Sequence, residues 1–189
     1  MEKIQKFHIA QLRSHGAHKE GELSLAMAKM VNIFVFRREY AKALPVAEEA
    51  LALCIKFHGE SSLQTAAQLY NMAGLFHCQY MLHDSVPLYE QALSIKRIHL
   101  PYEHEECLSI MRKIAESLEC LKEISHAEEM FTKLLELQKR TFGDSPEVCS
   151  TMESLAFIAF SASGIDRIEE ADRRYRELLA LQKSVFGER

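Results

Sequence analysis

The sequence predicts an all-α protein: an α-solenoid of stacked antiparallel helix pairs, wound as a right-handed superhelix with a concave inner face. Three observations predict it. Four segments of one cast, AEEALAL (47–53), YEQALSI (89–95), FTKLLEL (131–137) and YRELLAL (175–181), begin 42, 42 and 44 residues apart. The same step returns elsewhere: Ala43, Ser85, Ala127 and Ala171 form a small-residue set, Gly59, Pro101, Gly143 and Gly187 a set of breakers, and Leu51, Leu93, Leu135 and Leu179 an apolar set. Only 7 Gly and 4 Pro punctuate 189 residues, and the apolar residues between them recur at helical spacing. A period held at several kinds of position marks one supersecondary unit in tandem. A single helix pair of this size cannot bury its apolar stripe, so neighbouring pairs stack.

The elements follow in order. A lone helix over 2–14 precedes the array, and Ile9, 42 residues before Leu51, is in the phase of the repeat. The first pair spans 20–37 and 39–57 and stops at His58-Gly59. The second spans 62–80 and 83–98. Leu69, Met72, Ala73 and Phe76 form one helical stripe, Val86, Tyr89, Leu93 and Ile95 the next, and Leu100-Pro101 ends the pair. The third, 104–121 and 125–141, stops at Phe142-Gly143, and the fourth, 146–163 and 167–185, at Phe186-Gly187. Ser61, Asp144 and Ser145 are candidate N-caps. Small residues are expected where helices cross closely: Ala73, Ala115 and Ala156 in first helices, Ala43, Ala127 and Ala171 in second helices. Phe34, Phe76, Leu118, Tyr89, Phe131 and Tyr175 fill the gaps between them. The chain thus divides into an N-terminal capping segment, 1–17, and repeats at 18–59, 60–101, 102–143 and 144–189. Leu178, Leu179, Leu181, Val185 and Phe186 give the last helix more apolar surface than one preceding helix can cover. The expectation is a piece of a longer array, or a homo-oligomer formed through the C-terminal end.

Composition excludes several classes. The net charge of −4 offers no basic field for nucleic acid or an anionic membrane. No apolar run approaches the ~18 residues of a membrane span. The opening MEKIQKFHIAQLRSHGAHKE lacks the apolar core of a signal peptide, so a soluble, intracellular chain is expected. The five cysteines are widely spaced with no CxxC, which reads as reduced thiols rather than a disulfide scaffold or zinc ribbon. Neither His15/His18 nor His99/His104 has a Cys or carboxylate at ligand spacing, and His104-Glu105-Glu106-Cys107 lacks the second His of HExxH. His77 and Cys78 are adjacent on a helix and diverge by about 100°. No GxSxG, Walker or Rossmann pattern occurs. The expectation is no enzyme, no metal and no cofactor. Arg167, Arg173, Arg174 and Arg176 interleave with Glu169, Glu170, Asp172 and Glu177, the pattern of a solvated helix face. Met27, Met30, Met72 and Met81 read as core filler.

The segments QLYNMAGLF (68–76), SVPLYEQALSI (85–95) and KRIHLP (96–101), with QKRTFGDSPEV (138–148) and QKSVFG (182–187), carry a resemblance. The chain resembles the tetratricopeptide repeat in its long form, seen in kinesin light chains and nephrocystin-like proteins. Pro45 and Pro87 stand two residues after the small residue, as the long form often has it. Two departures mark a divergent relative. Only Asn71 matches the second Asn of the family's pair, where Lys29, Lys113 and Ser154 stand in the other repeats. The usual turn glycine is replaced by Arg38, Tyr80 and Lys122, while the fourth repeat keeps Gly164 and carries two extra residues around 163–167.

The resemblance implies a non-enzymatic protein–protein interaction module, an adaptor or scaffold holding a protein or peptide partner in its concave groove. It implies a cytoplasmic setting, with a cytoskeletal or ciliary association. The first helix of each pair then lines the groove with Leu25, Lys29, Asn32 and Phe36; Asn71, Gly74, His77 and Cys78; Arg112, Lys113, Glu116 and Cys120; and Ser150, Ser154, Phe157 and Phe160. The peptide-binding candidates among these are Lys29, Asn32, Asn71, Arg112, Lys113, Ser154 and Phe157. Some chaperone-binding members clamp a terminal carboxylate with Lys and Asn. Asn32, Asn71 and Lys113 fit that clamp, whereas Ala28 and Ser109 stand at two of its usual Lys positions. The same residues also read as an ordinary solvated groove. Two other functions stay open: an assembly module of a cytoskeletal or ciliary complex, acting by self- or hetero-association, and a sensor whose superhelical pitch changes on binding a peptide.

Overall fold

The computed structural model describes residues 7, 9–10, 20–162 and 164–187. Among them run eight helices and no strand: α1 Glu20–Phe36, α2 Tyr40–His58, α3 Leu63–Cys78, α4 Leu82–His99, α5 Glu105–Cys120, α6 Ile124–Phe142, α7 Pro146–Ser161 and α8 Ile165–Phe186. Each end lies within two residues of its expected place. The expected helix over 2–14 lies outside the described residues apart from Phe7, Ile9 and Ala10. The chain divides into two compact units, residues 1–99 and 100–189.

In the first unit α1 packs on α2, α2 on α3 and α3 on α4, and α1 also touches α3. Ala43, Ala47 and Ala50 face a cluster of Leu23, Ala26, Met27, Met30, Val31 and Phe34, with Ile9 and Leu75 at its edges. Alanines spaced by three and four residues let the α2 backbone approach closely, so the larger α1 side chains are buried. Burial of each is worth about 1.5–3 kcal/mol. Ser85 occupies the small-residue slot of the second repeat. Its hydroxyl donates to the Ala73 carbonyl at 2.9 Å, so this buried polar group is satisfied across the helix crossing.

In the second unit α5 packs on α6, α6 on α7 and α7 on α8. Ile110, Met111, Ile114, Ala115, Phe131 and Leu134 are fully buried. A further cluster joins Val148, Cys149, Met152 and Leu178 to Leu135, Leu181 and Val185. Buried Thr151 donates to the Gln138 side-chain oxygen at 2.6 Å, tying α7 to α6.

The first three pairs turn in the same way. The amide of residue 38, 80 or 122 donates to the carbonyl three back, and the next amide to the carbonyl five back, all at 2.9–3.0 Å. These are Schellman motifs, with Arg38, Tyr80 and Lys122 at φ 58°, 59° and 65° where glycine is usual. The fourth turn is different. Ala162 is extended, and Gly164 takes φ 127°.

The structure corrects several expectations. Ser62, not Ser61, caps α3 by accepting from the Thr65 amide at 3.1 Å. Ser145, not Asp144, caps α7 by accepting from Val148. Tyr175 is exposed rather than filling a gap, because no described helix packs over that side of α8. Leu178 is buried and Leu181 half-buried, so they are not part of the uncovered surface. Met81 sits exposed at the second turn rather than in the core. Arg167 and Arg174 are half-buried rather than part of a solvated face. Both reach Glu128 of α6 at 2.9 Å, and Arg174 also donates to the Leu155 carbonyl of α7.

Candidate functional site

The candidate residues lie on the first helix of each pair. On α1, Leu25, Lys29, Asn32 and Phe36 are spaced so that one helical face carries all four, and all four are exposed. Phe36 is 91% exposed at the helix end. On neighbouring α3, Asn71, Gly74 and His77 are half-buried and Cys78 is exposed. The His77 ring meets Tyr89 edge-on at 6.4 Å, and Tyr89 tilts against Tyr70 at 5.4 Å. His77 is therefore part of the packing that seats α3 on α4.

In the second unit, α5 offers Arg112, Lys113 and Glu116, all half-buried, and Cys120, exposed. Arg112 is committed to the protein. Its guanidinium donates to the Ser150 hydroxyl at 3.2 Å, the Glu147 carbonyl at 3.1 Å and the Thr151 hydroxyl at 2.8 Å. Thr151 passes the chain on to Gln138, so Arg112 joins three helices. Lys113 pairs with Glu116 at 2.7 Å. Burial pushes the Glu119 carboxyl upward, and nearby Glu116 adds to that against the opposing pull of Lys122. On α7 the Ser154 hydroxyl turns back to the Ser150 carbonyl of its own helix. Phe157 and Phe160 stand in solvent beside it. Glu147, in the first turn of α7, is held below the usual carboxylate value by its own amide and the Ser145 hydroxyl.

In unit 1, Lys29 and Asn32 lie on α1 and Asn71 on α3, a helix that α1 touches. In unit 2, Arg112 and Lys113 lie on α5 and Ser154 and Phe157 on α7, and of these Arg112 reaches the other helix, at Glu147, Ser150 and Thr151. Of the clamp set, Lys113 is already paired within its own helix. Ala28, at one of the clamp's Lys positions, is buried toward the core and so not offered to a ligand.

Sequence reasoning missed a cleft of about 350 Å³ in the first unit, lined by Ile55, Glu60, Ser61, Thr65, Leu69, Gln91, Ser94 and Ile95. It opens where the end of α2 and the start of α3 meet α4. Its residues come from three elements with no shared spacing, so no linear signal marks it. At its edge His99 Nε2 lies 2.6 Å from the Ser61 carbonyl oxygen.

His104 Nδ1 caps α5 by accepting from the Glu106 amide at 3.3 Å, so His99 and His104 each hold backbone of their own unit. His15 and His18 lie outside the described residues. Among the described residues no three His, Cys, Asp or Glu side chains gather as a metal site. All five cysteines are free thiols; Cys54, Cys107 and Cys149 are buried. Burial pushes the Cys149 thiol upward, which keeps it protonated and unreactive.

Comparison with known proteins matches residues 23–98 to the tetratricopeptide repeat family. No curated protein matches the chain in sequence. Among solved structures, the chain is similar to the nearly identical TPR-like repeats of a Podosopora anserina protein described as a kinesin light chain. They share 15% identity, 97% of this chain and 86% of that one are covered, and the TM-score is 0.82. It is similar to BtubC (BKLC) from P. vanneervenii at 19% identity, covering 97% of this chain and 73% of that one, with a TM-score of 0.77. It is also similar to the apo form of RapI at 13% identity, covering 95% and 62%, with a TM-score of 0.76. Residues 23–98 thus match the tetratricopeptide repeat family, and the chain shares the all-α helix-pair fold of these solved structures.

Proposed function

We propose that the chain is a non-enzymatic protein–protein interaction module, an adaptor or scaffold that holds a partner peptide on the first-helix faces of its repeats. One observation carries this reading. The α1 face sets exposed Leu25 and Phe36 in line with Lys29 and Asn32, and the α7 face sets Phe157 and Phe160 beside Ser150 and Ser154. Apolar anchors flanked by polar groups that can bond peptide backbone are the composition of a recognition surface. Arg112 acts from behind this surface, holding α5 and α7 in register, rather than by touching the peptide. The likeness to kinesin light chain-like repeats supports a cytoplasmic adaptor with a cytoskeletal partner. No helix among the described residues is long and apolar enough to cross a membrane.

The test selects peptides from a random displayed library with the intact chain, then measures affinity for variants. Phe36→Ser with Asn32→Ala, or Phe157→Ser, is expected to weaken binding about tenfold or more. Melting curves should be unchanged, because these side chains are exposed. Peptides that bind both variants as tightly as the parent chain would remove the groove reading. A second reading, an assembly module, is favoured by a separate feature, the apolar stripe along α8.

A further inference from the structure

Ile168, Tyr175, Leu179 and Phe186 are 56, 40, 55 and 57% exposed. Their spacing of 7, 4 and 7 residues sets them on one line of α8. At 1.5 Å per residue that line is about 27 Å long. The core side of the same helix is separate, carrying Ala171 and Leu178, both buried. In the preceding repeat the two central positions of the α6 face are covered, while Phe142 at its end is exposed: Phe131 is fully buried, and Leu135 packs on the α7 cluster. The fold therefore shapes this face of a second helix to receive another helix, and no described element does so on α8.

We infer that the helix it receives is α8 of a second copy of this chain, running antiparallel about a two-fold axis. This gives the assembly reading, on which it rests, one definite occupant. A two-fold contact must be self-complementary. The 7-4-7 spacing reads the same in both directions, so the axis opposes Ile168 to Phe186 of the second copy and Tyr175 to its Leu179, and then repeats both contacts. The charges fit that register. Asp172 and Lys183 are exposed on the same flank of the stripe. In the antiparallel pair, Asp172 falls within one residue, about 1.5 Å, of the level of the second copy's Lys183. Two equivalent ion pairs then close along one edge. Asp172 already holds Arg176 at 2.9 Å, which keeps that like-charged neighbour of Lys183 neutralised. In a parallel pair Asp172 and Lys183 would be about 16 Å apart in height and could not meet. One helix face is small beside a standard interface, so the dimer belongs in about the micromolar range.

The experiment is sedimentation velocity of the full chain from about 1 to about 200 micromolar, a range that brackets such an affinity. The parent chain should pass reversibly from monomer to dimer. Leu179→Asp should weaken the dimer about tenfold or more without lowering the melting point. Lys183→Asp should weaken it several-fold, and adding Asp172→Lys to that variant should restore it, because the exchanged charges meet again. A parent chain that stays monomeric throughout overturns the inference. A double variant no tighter than Lys183→Asp alone overturns the antiparallel register. A monomeric chain that loses a defined foreign partner on Leu179→Asp overturns self-pairing while leaving the assembly reading in place.

Discussion

Lys122 and Gly143 hold left-handed backbone for different reasons. Lys122 sits at φ 65° in a Schellman turn, where a β-carbon costs about 1 kcal/mol and glycine costs nothing. Lys122→Gly is expected to stabilise by about 0.5–1 kcal/mol, the relief being partly offset by the freer unfolded chain. Gly143 takes φ 60° with ψ −140°, a region essentially reserved for glycine, and a β-carbon there would meet nothing within 4 Å. Gly143→Val therefore costs about 1–3 kcal/mol through backbone strain alone. Gly143→Asn should fare no better, since this ψ lies outside the left-handed helical well that Asn tolerates. Urea melts of the three variants decide it, and a Gly143→Val midpoint equal to the parent's would remove the strain argument. The Phe-Gly stop was legible because it recurs at repeat ends. The place of the Lys122 turn followed from the resemblance, but its left-handed conformation was not legible in the residue, because two backbone hydrogen bonds fix it.

Between elements, the main polar tie is the group that joins α6 to α8. Burial pushes the Glu128 carboxyl upward, but hydrogen bonds and charge from Arg167 and then Arg174 outweigh it and leave it below the ordinary 4.5. A carboxyl depressed in the folded state contributes stability that is fully present above its unfolded value and is lost as pH falls through the folded one. Glu128→Gln should cost about 1–2 kcal/mol near neutrality and flatten the loss of stability below about pH 5. A parent and variant whose melting points fall in parallel on acidification would show that the tie contributes nothing. The sequence displayed these arginines among equal numbers of acids, the pattern of a solvated face. Long charged side chains satisfy that pattern whether they reach into solvent or back across the helix, so spacing alone does not separate Arg167 and Arg174 from Arg173 and Arg176. The candidate site follows the same rule. The exposed face of Lys29, Asn32 and Phe157 followed from the resemblance, but the engagement of Arg112 depends on groups 35 to 39 residues away.

Each of the two units contains two helix pairs with a core of its own, around Met27, Phe34 and Ala47 in one and around Ile114, Phe131 and Leu134 in the other. Residues 1–99 produced alone are expected to stay helical and to melt cooperatively. A weakly helical spectrum with a broad, featureless melt would show that the first unit depends on the second. The sequence revealed the pairs through their period but not this division. The period runs unbroken past His99, and no shift in composition marks the boundary.

The fourth turn bears on how such a chain changes over time. Its connection, residues 162–164, is three residues long like the earlier ones, and the added length lies in the start of α8. Ala171 comes six residues after Ile165, where Ala43, Ser85 and Ala127 come three after the starts of their helices, yet it lies buried in the same slot. The added length is taken up as extra helix at the start of α8, and the rest of that helix keeps its seating. Length can therefore be added at the start of α8 without unseating the rest of the helix, and foreign sequence spliced beside Gly164 would be displayed on an otherwise undisturbed frame.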